Sequence, residues 1–231
     1  MTRYAIYFAP NRESPLWRFG NAWLGRDVET GEPLIRPSLS GLSGLNLDEL
    51  TASPRLYGFH ATLKPPFRLS EGCSFADLIR TCEDFVSTQK SFNCPMVAPA
   101  ELGNFVAFKL LVQSKSMIEL AANAVEVFEP FRAPQTEKEL AKRRVAGLTG
   151  RQEENLLRWG YPYVMEDFRF HMTLTNAIAA DGLRSKLTAG LISAAEAAGA
   201  VGPMEVSGVS LYEQVGSDQP FRLIRRFPFK G

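Results

Sequence analysis

Phe59-His60-Ala61-Thr62-Leu63 and Phe170-His171-Met172-Thr173-Leu174 carry the only two histidines of the chain, and both read Phe-His-apolar-Thr-Leu. At ordinary threonine frequency, two randomly placed histidines would both have Thr at +2 in about one chain in a few hundred. The spacing is that of a β-strand, in which side chains alternate faces, so His and Thr two apart point the same way. Phe59, Ala61 and Leu63 then point into a core, as do Phe168, Phe170, Met172 and Leu174. The opposite face carries Gly58, His60, Thr62 and Lys64 in one strand, and Arg169, His171, Thr173 and Thr175 in the other. Gly58 leaves room for close approach to its backbone.

Residues 56–64 read as the first of these strands, stopped by Pro65-Pro66, and residues 168–176 as the second. Residues 4–9 form a β-rich apolar run, too short for a signal peptide, and read as an opening strand. Pro15 precedes a helix over residues 16–24 that stops at Gly25. The aromatic residues Trp17 to Trp23 sit at helical spacing and read as core rather than as a base-stacking surface. Residues 26–54 are rich in Gly, Pro and Ser and read as irregular cover, with a short helical turn at 47–50. Ser74 caps a helix to about residue 88, with Phe75, Leu78, Ile79, Cys82 and Phe85 on one face.

Two strands, 96–102 and 105–112, follow around a Gly103-Asn104 turn, then a helix over 116–128. Thr136 with Glu139, and Thr149 with Gln152, look like capping boxes opening two further helices, the second ending at Gly160. An Ala- and Leu-rich helix over 181–198 leads to a closing strand pair, 206–213 and 221–229. Each half of the chain thus holds a histidine strand, a long helix and two paired strands. This order predicts an α+β fold of two pseudo-symmetric lobes, each an antiparallel sheet with flanking helices, within one domain over residues 1–231, and an active cleft between the lobes.

Net charge is +1, from 26 Lys and Arg against 25 Asp and Glu, so there is no bulk electrostatic case for a membrane or long nucleic-acid partner. No window approaches the roughly 20 apolar residues of a membrane span. Three cysteines, Cys73, Cys82 and Cys94, match no zinc or redox spacing and read as reduced thiols of a cytoplasmic protein.

The polar strand faces suit a phosphate. Imidazoles exchange protons near neutral pH, hydroxyls donate to non-bridging oxygens, and Lys64 and Arg169 supply positive charge. Two imidazoles flanking one phosphorus divide the work: one, neutral, takes a proton from water, and the other, protonated, delivers one to the leaving oxygen.

Paired His-x-Thr motifs on strands of a two-lobed α+β fold resemble the 2H phosphoesterase superfamily, which includes 2′,3′-cyclic phosphodiesterases. The longer context, residues 57–67 with residues 3–10, is similar to a branch of uncharacterised proteins associated with phosphonate-utilisation operons. The resemblance implies His60 and His171 as acid and base, Thr62 and Thr173 as phosphate ligands, and catalysis without a metal or other cofactor. It also implies a small cyclic phosphate of ribose phosphate or phosphonate metabolism as substrate, with hydrolysis ahead of ligation or transfer.

Other chemistries fit less well. Asp167 could complete an iron triad with the histidines, but it lies four residues from His171, about 13 Å along an extended strand. There is no Gly-x-Ser-x-Gly elbow and no nucleotide-phosphate loop of the form Gly-x-x-x-x-Gly-Lys-Ser/Thr. Tyr57 alternates away from His60 and reads as core, whereas Tyr7 and Tyr163 are free to reach a site. The basic run 138–144 alternates with Glu137 and Glu139 and reads as a solvated helix face. The alternative to an enzyme is a module that only binds a phosphorylated metabolite or nucleotide; such a module would be served better by arginines than by two histidines.

Overall fold

The computed structural model describes residues 1–39, 42, 44–145 and 147–231. In chain order the elements are β1 (Thr2–Phe8), α1 (Pro15–Leu24), α2 (Leu47–Leu50), α3 (Ala52–Tyr57), β2 (Ala61–Phe67), α4 (Phe75–Ser87), β3 (Phe92–Leu102), β4 (Phe105–Leu110), α5 (Lys115–Val127), α6 (Glu137–Arg144), α7 (Gly150–Trp159), β5 (His171–Thr173), α8 (Asp181–Ala197), β6 (Gly202–Val206), β7 (Gly208–Val215) and β8 (Arg222–Pro228).

Local chemistry sets most of these limits. The Ser14 hydroxyl accepts from the Trp17 amide to open α1, and Gly25 closes it at φ 71°. Ser74 with Asp77, Thr136 with Glu139 and Thr149 with Gln152 form reciprocal capping boxes at the starts of α4, α6 and α7. The reading of residues 26–54 as cover extends over 40, 41 and 43, which lie outside the described residues.

The strands form one eight-stranded antiparallel sheet in the order β6-β3-β4-β5-β2-β1-β7-β8. It divides into two four-stranded halves, β6-β3-β4-β5 and β2-β1-β7-β8, which meet at a single bridge between Ala61 and Met172. The α+β class and the two antiparallel sheet halves are therefore present, and the halves are continuous with each other. Their composition is not that of the two chain halves. The hairpin β3-β4, which follows β2 in sequence, joins β5; the hairpin β7-β8, which follows β5, joins β1 and β2.

One face of the sheet is covered by helices. Leu78, Cys82 and Phe85 of α4, Leu120 and Ala124 of α5, and Leu187 and Leu191 of α8 share a core with Ile6, Phe8, Ala61, Leu63, Phe108, Met172 and Leu174. Trp23 of α1 is fully buried in the same core and donates its indole N–H to the Leu174 carbonyl at 2.8 Å. The aromatic stretch of α1 is thus packing, as its spacing predicts. On the other face of β1, Ala5, Tyr7 and Ala9 cluster with Trp17, Val28, Tyr212 and Phe221. Among the described residues no helix is long and apolar enough to cross a membrane.

Candidate functional site

The bridge between Ala61 and Met172 decides the geometry of the site. Both residues point into the core, so their neighbours point the other way. The antiparallel register brings Thr62 toward His171, and Thr173 toward His60, on the face away from the core. The adjoining ladders extend the row, with Tyr7 beside Thr62 and Lys109 beside His171. Both His-x-Thr pairs therefore meet at the seam of the two sheet halves and line one cleft of about 630 Å³.

The two imidazoles are held in the same way. Nδ1 of His60 lies 2.8 Å from the Gly58 carbonyl, and Nδ1 of His171 lies 2.7 Å from the Arg169 carbonyl. A carbonyl only accepts, so each Nδ1 carries a hydrogen and each Nε2 is left for chemistry. The Thr62 hydroxyl donates to Nε2 of His60 at 3.2 Å. Tyr7 stacks on the His60 ring, with centroids 3.7 Å apart and planes 16° from parallel. Burial lowers the pKa of His60 to about 3, opposed by the Gly58 hydrogen bond and aided by the charge of His171. Burial also lowers that of His171, against its bond to Arg169 and with help from Lys109. Both shifts favour the neutral ring at physiological pH.

Two sequence expectations need correction. Lys64 does not share the face of His60 and Thr62. A bulge between β1 and β2 pairs Tyr7 with Thr62 but Ile6 with Lys64, so one extra residue turns Lys64 to the helical side. There its side chain is 1% exposed, donates to the Val125 carbonyl at 3.0 Å and ion-pairs with Glu129. Arg169 precedes the short strand β5 and turns back on the carbonyls of Glu166 and Phe168 at 2.9 and 2.7 Å. Neither cation lines the cleft.

Tyr57 is also placed differently from its reading as core. The segment before His60 is helix α3 up to Tyr57, not strand, and Tyr57 lines the cleft, stacked on Phe221 at 5.3 Å. Gly58 makes the turn between them at φ 81°, and what approaches it closely is Val28, whose Cγ2 would lie 2.2 Å from a Cβ there. Tyr7 reaches the cleft as expected, whereas Tyr163 does not line it. Asp167 is occupied by Arg151 at 2.7 Å, and Arg151 lowers its pKa. Among the described residues no three His, Cys, Asp or Glu side chains come together as metal ligands.

Sequence reasoning missed the cleft's cationic end. Arg3, Arg68, Arg132, Lys142 and Arg143 line it, with Glu139 as the acidic member. Arg143 lies over the Tyr161 ring at 4.8 Å, so the basic run of α6 is not simply a solvated face. These residues come from β1, from α6 and from loops far apart in sequence, and no local pattern links them.

Residues 62–222 match the family model described as "Protein of unknown function (DUF1045)". Two bacterial proteins, each named ribose 1,5-bisphosphate phosphokinase PhnN, are similar to the chain. One, from Janthinobacterium sp. (strain Marseille), is 41% identical over 234 residues, covering 100% of this chain and 51% of its own length. The other, from Laribacter hongkongensis (strain HLHK9), is 36% identical over 223 residues, covering 96% of this chain and 51% of its own length. The chain thus spans about half the length of these curated relatives. Among solved structures, a protein titled a phosphoesterase aligns over 100% of this chain and 99% of its own at 11% identity, with a TM-score of 0.43. Kluyveromyces marxianus Usb1 aligns over 96% and 98% at 11% identity, with a TM-score of 0.39.

Proposed function

The chain belongs to the DUF1045 family, and from that premise we propose that it is a metal-independent phosphodiester hydrolase of the 2H type acting on a small cyclic phosphate. One observation carries the reading: two histidines, each fixed through Nδ1 to the carbonyl two residues before it, line one cleft, with the Nε2 of His60 meeting only the Thr62 hydroxyl, which a bound phosphate would draw away. A phosphate between them sits between two proton-transfer groups, with the hydroxyls of Thr62 and Thr173 on the same sheet face to meet its non-bridging oxygens.

The reaction needs one imidazole neutral and one protonated. The neutral Nε2 takes a proton from water as the new O–P bond forms. The protonated Nε2 gives its proton to the ring oxygen as the old P–O bond breaks. Burial favours the neutral form of both rings, and an anionic phosphate beside them stabilises the imidazolium that the reaction requires. Tyr7, stacked on His60, fixes that ring's plane. The direction of attack follows from which side of phosphorus the leaving oxygen occupies.

The kinase named for the two relatives is an activity of proteins about twice this length. This chain lacks the Gly-x-x-x-x-Gly-Lys-Ser/Thr loop that cradles a nucleotide's phosphates. That name does fit a ribose phosphate as the class of substrate.

The test is turnover on a panel of nucleoside 2′,3′-cyclic phosphates, ribose cyclic phosphates and a linear diester, with chelator present. Cleavage of a cyclic member that His60→Ala and His171→Ala each reduce by at least about 10²-fold is expected. A rate indifferent to His171→Ala, or strict dependence on an added divalent metal, overturns the mechanism. Binding without turnover, weakened in both variants, would make the protein a phosphometabolite-binding module.

A further inference from the structure

Resting on that reading, we infer that the cationic end of the cleft is a second anion subsite, so that the substrate carries a phosphate monoester besides the phosphodiester that reacts. The alternation of β1 puts Arg3, Ala5 and Tyr7 on the cleft face. Tyr7 stacks on His60, so Arg3 begins four residues, about 13 Å, along the strand from the reacting centre. Its guanidinium reaches the Gln214 side chain at 2.8 Å and lies 5.5 Å from the Phe221 ring, which stacks on Tyr57 in the cleft wall. Lys142 and Arg143 of α6 line the same cleft.

The carboxylates nearby are already committed. Glu139 accepts from Arg68 at 3.0 Å and from its own capping box, and Glu129 holds Lys64 and Arg132. No ion pair among the described residues involves Arg3, Lys142 or Arg143. Arg3, Lys142 and Arg143 outnumber Glu139, whose pKa Arg3 helps to lower, along one concave site, and their excess positive charge lowers the free energy of an arriving anion. Guanidinium forks match the oxygens of a phosphate. A cavity of about 630 Å³ holds a sugar with two phosphates, whereas one cyclic phosphate leaves much of it empty.

The experiment compares ribose 1,5-bisphosphate with ribose 5-phosphate by calorimetric binding. In parallel it compares turnover of a ribose cyclic phosphate with and without a phosphate on the 5-hydroxyl. The wild type is expected to bind the bisphosphate at least about tenfold tighter and to show a similar preference in kcat/KM. Arg3→Gln, and the pair Lys142→Gln with Arg143→Gln, should shrink both ratios below about threefold, mostly through KM. Lys90→Gln, an exposed cation outside the cleft, controls for bulk charge and should leave both ratios in place. Thermal transitions verify that each variant is folded. Equal ratios in wild type, or ratios untouched by the cleft variants, overturn the subsite while leaving any cyclic-phosphate turnover intact. A preserved binding ratio with no turnover of either cyclic compound overturns the hydrolase reading and leaves the subsite standing.

Discussion

Replacing Lys64 with Met separates a folding role from a catalytic one. The sequence places Lys64 beside the phosphate; the bulge in β2 places it under the sheet. Its side chain is 1% exposed, with the ammonium on the Val125 carbonyl and on Glu129. Methionine keeps the length of the aliphatic stem, so packing is largely retained and the loss is that of a buried, charge-assisted pair. Stranding the partner of a fully buried pair costs 3–5 kcal/mol as a rule of thumb. Here Glu129 is 22% exposed and keeps Arg132, whose Nε lies 2.9 Å away, so it is not stranded. A loss of about 2 kcal/mol follows, which for a chain of this size lowers Tm by about 4–8 °C. The assay pairs thermal unfolding with kcat/KM measured well below the transition, where turnover should be close to that of wild type. A Lys64→Met protein with an unchanged Tm and kcat/KM reduced by more than about tenfold would refute the assignment and return Lys64 to the phosphate.

Two further outcomes concern pH and the turn before His60. Both histidine pKa values are lowered on folding, that of His60 to about 3. Below the unfolded value of about 6.5 the unfolded chain therefore binds more protons, and stability, fully present above that pH, falls as the medium is acidified. Thermal unfolding across about pH 4–8 should show this slope, His60→Asn should flatten it, and a slope of the opposite sign refutes the burial argument. For the same reason both limbs of the kcat/KM profile should lie below about 6.5, with the kcat profile displaced upward by the bound phosphate. Gly58→Ala meets both a φ of 81° and Val28 at 2.2 Å, so it should cost more than about 1 kcal/mol in urea unfolding. Adding Val28→Ala should recover the steric part but not the backbone part; full recovery would show that the dihedral costs nothing.

The histidine pair was legible because the strand period alone puts His60 with Thr62, and His171 with Thr173, on one face. Capping residues at Ser74, Thr136 and Thr149, and the stops at Gly25 and Gly160, were legible for the same local reason. Lys64 was not, because one inserted residue turns it to the other face and a bulge leaves no mark in the pattern. Tyr57 was misread because six residues of helix α3 abut the strand, where alternation had been extended backwards. Arg3, Lys142 and Arg143 are brought to one cleft by β1 and α6, more than a hundred residues apart, and only the assembled sheet relates them. The exchange of hairpins between the two sheet halves is likewise a long-range choice, invisible to any window of sequence.

That exchange has a consequence during synthesis. β1 ends at Phe8, yet its neighbour on the edge away from β2 is β7, which begins at Gly208. At ordinary translation rates of about 5–20 residues per second, the first strand waits about 10–40 s at the ribosome for that partner. The other sheet half must wait for β6 at Gly202 in the same way. A nascent chain stalled before residue 202 therefore lacks β6 of one half and both β7 and β8 of the other, and the two histidines, although already made, have no complete cleft to occupy.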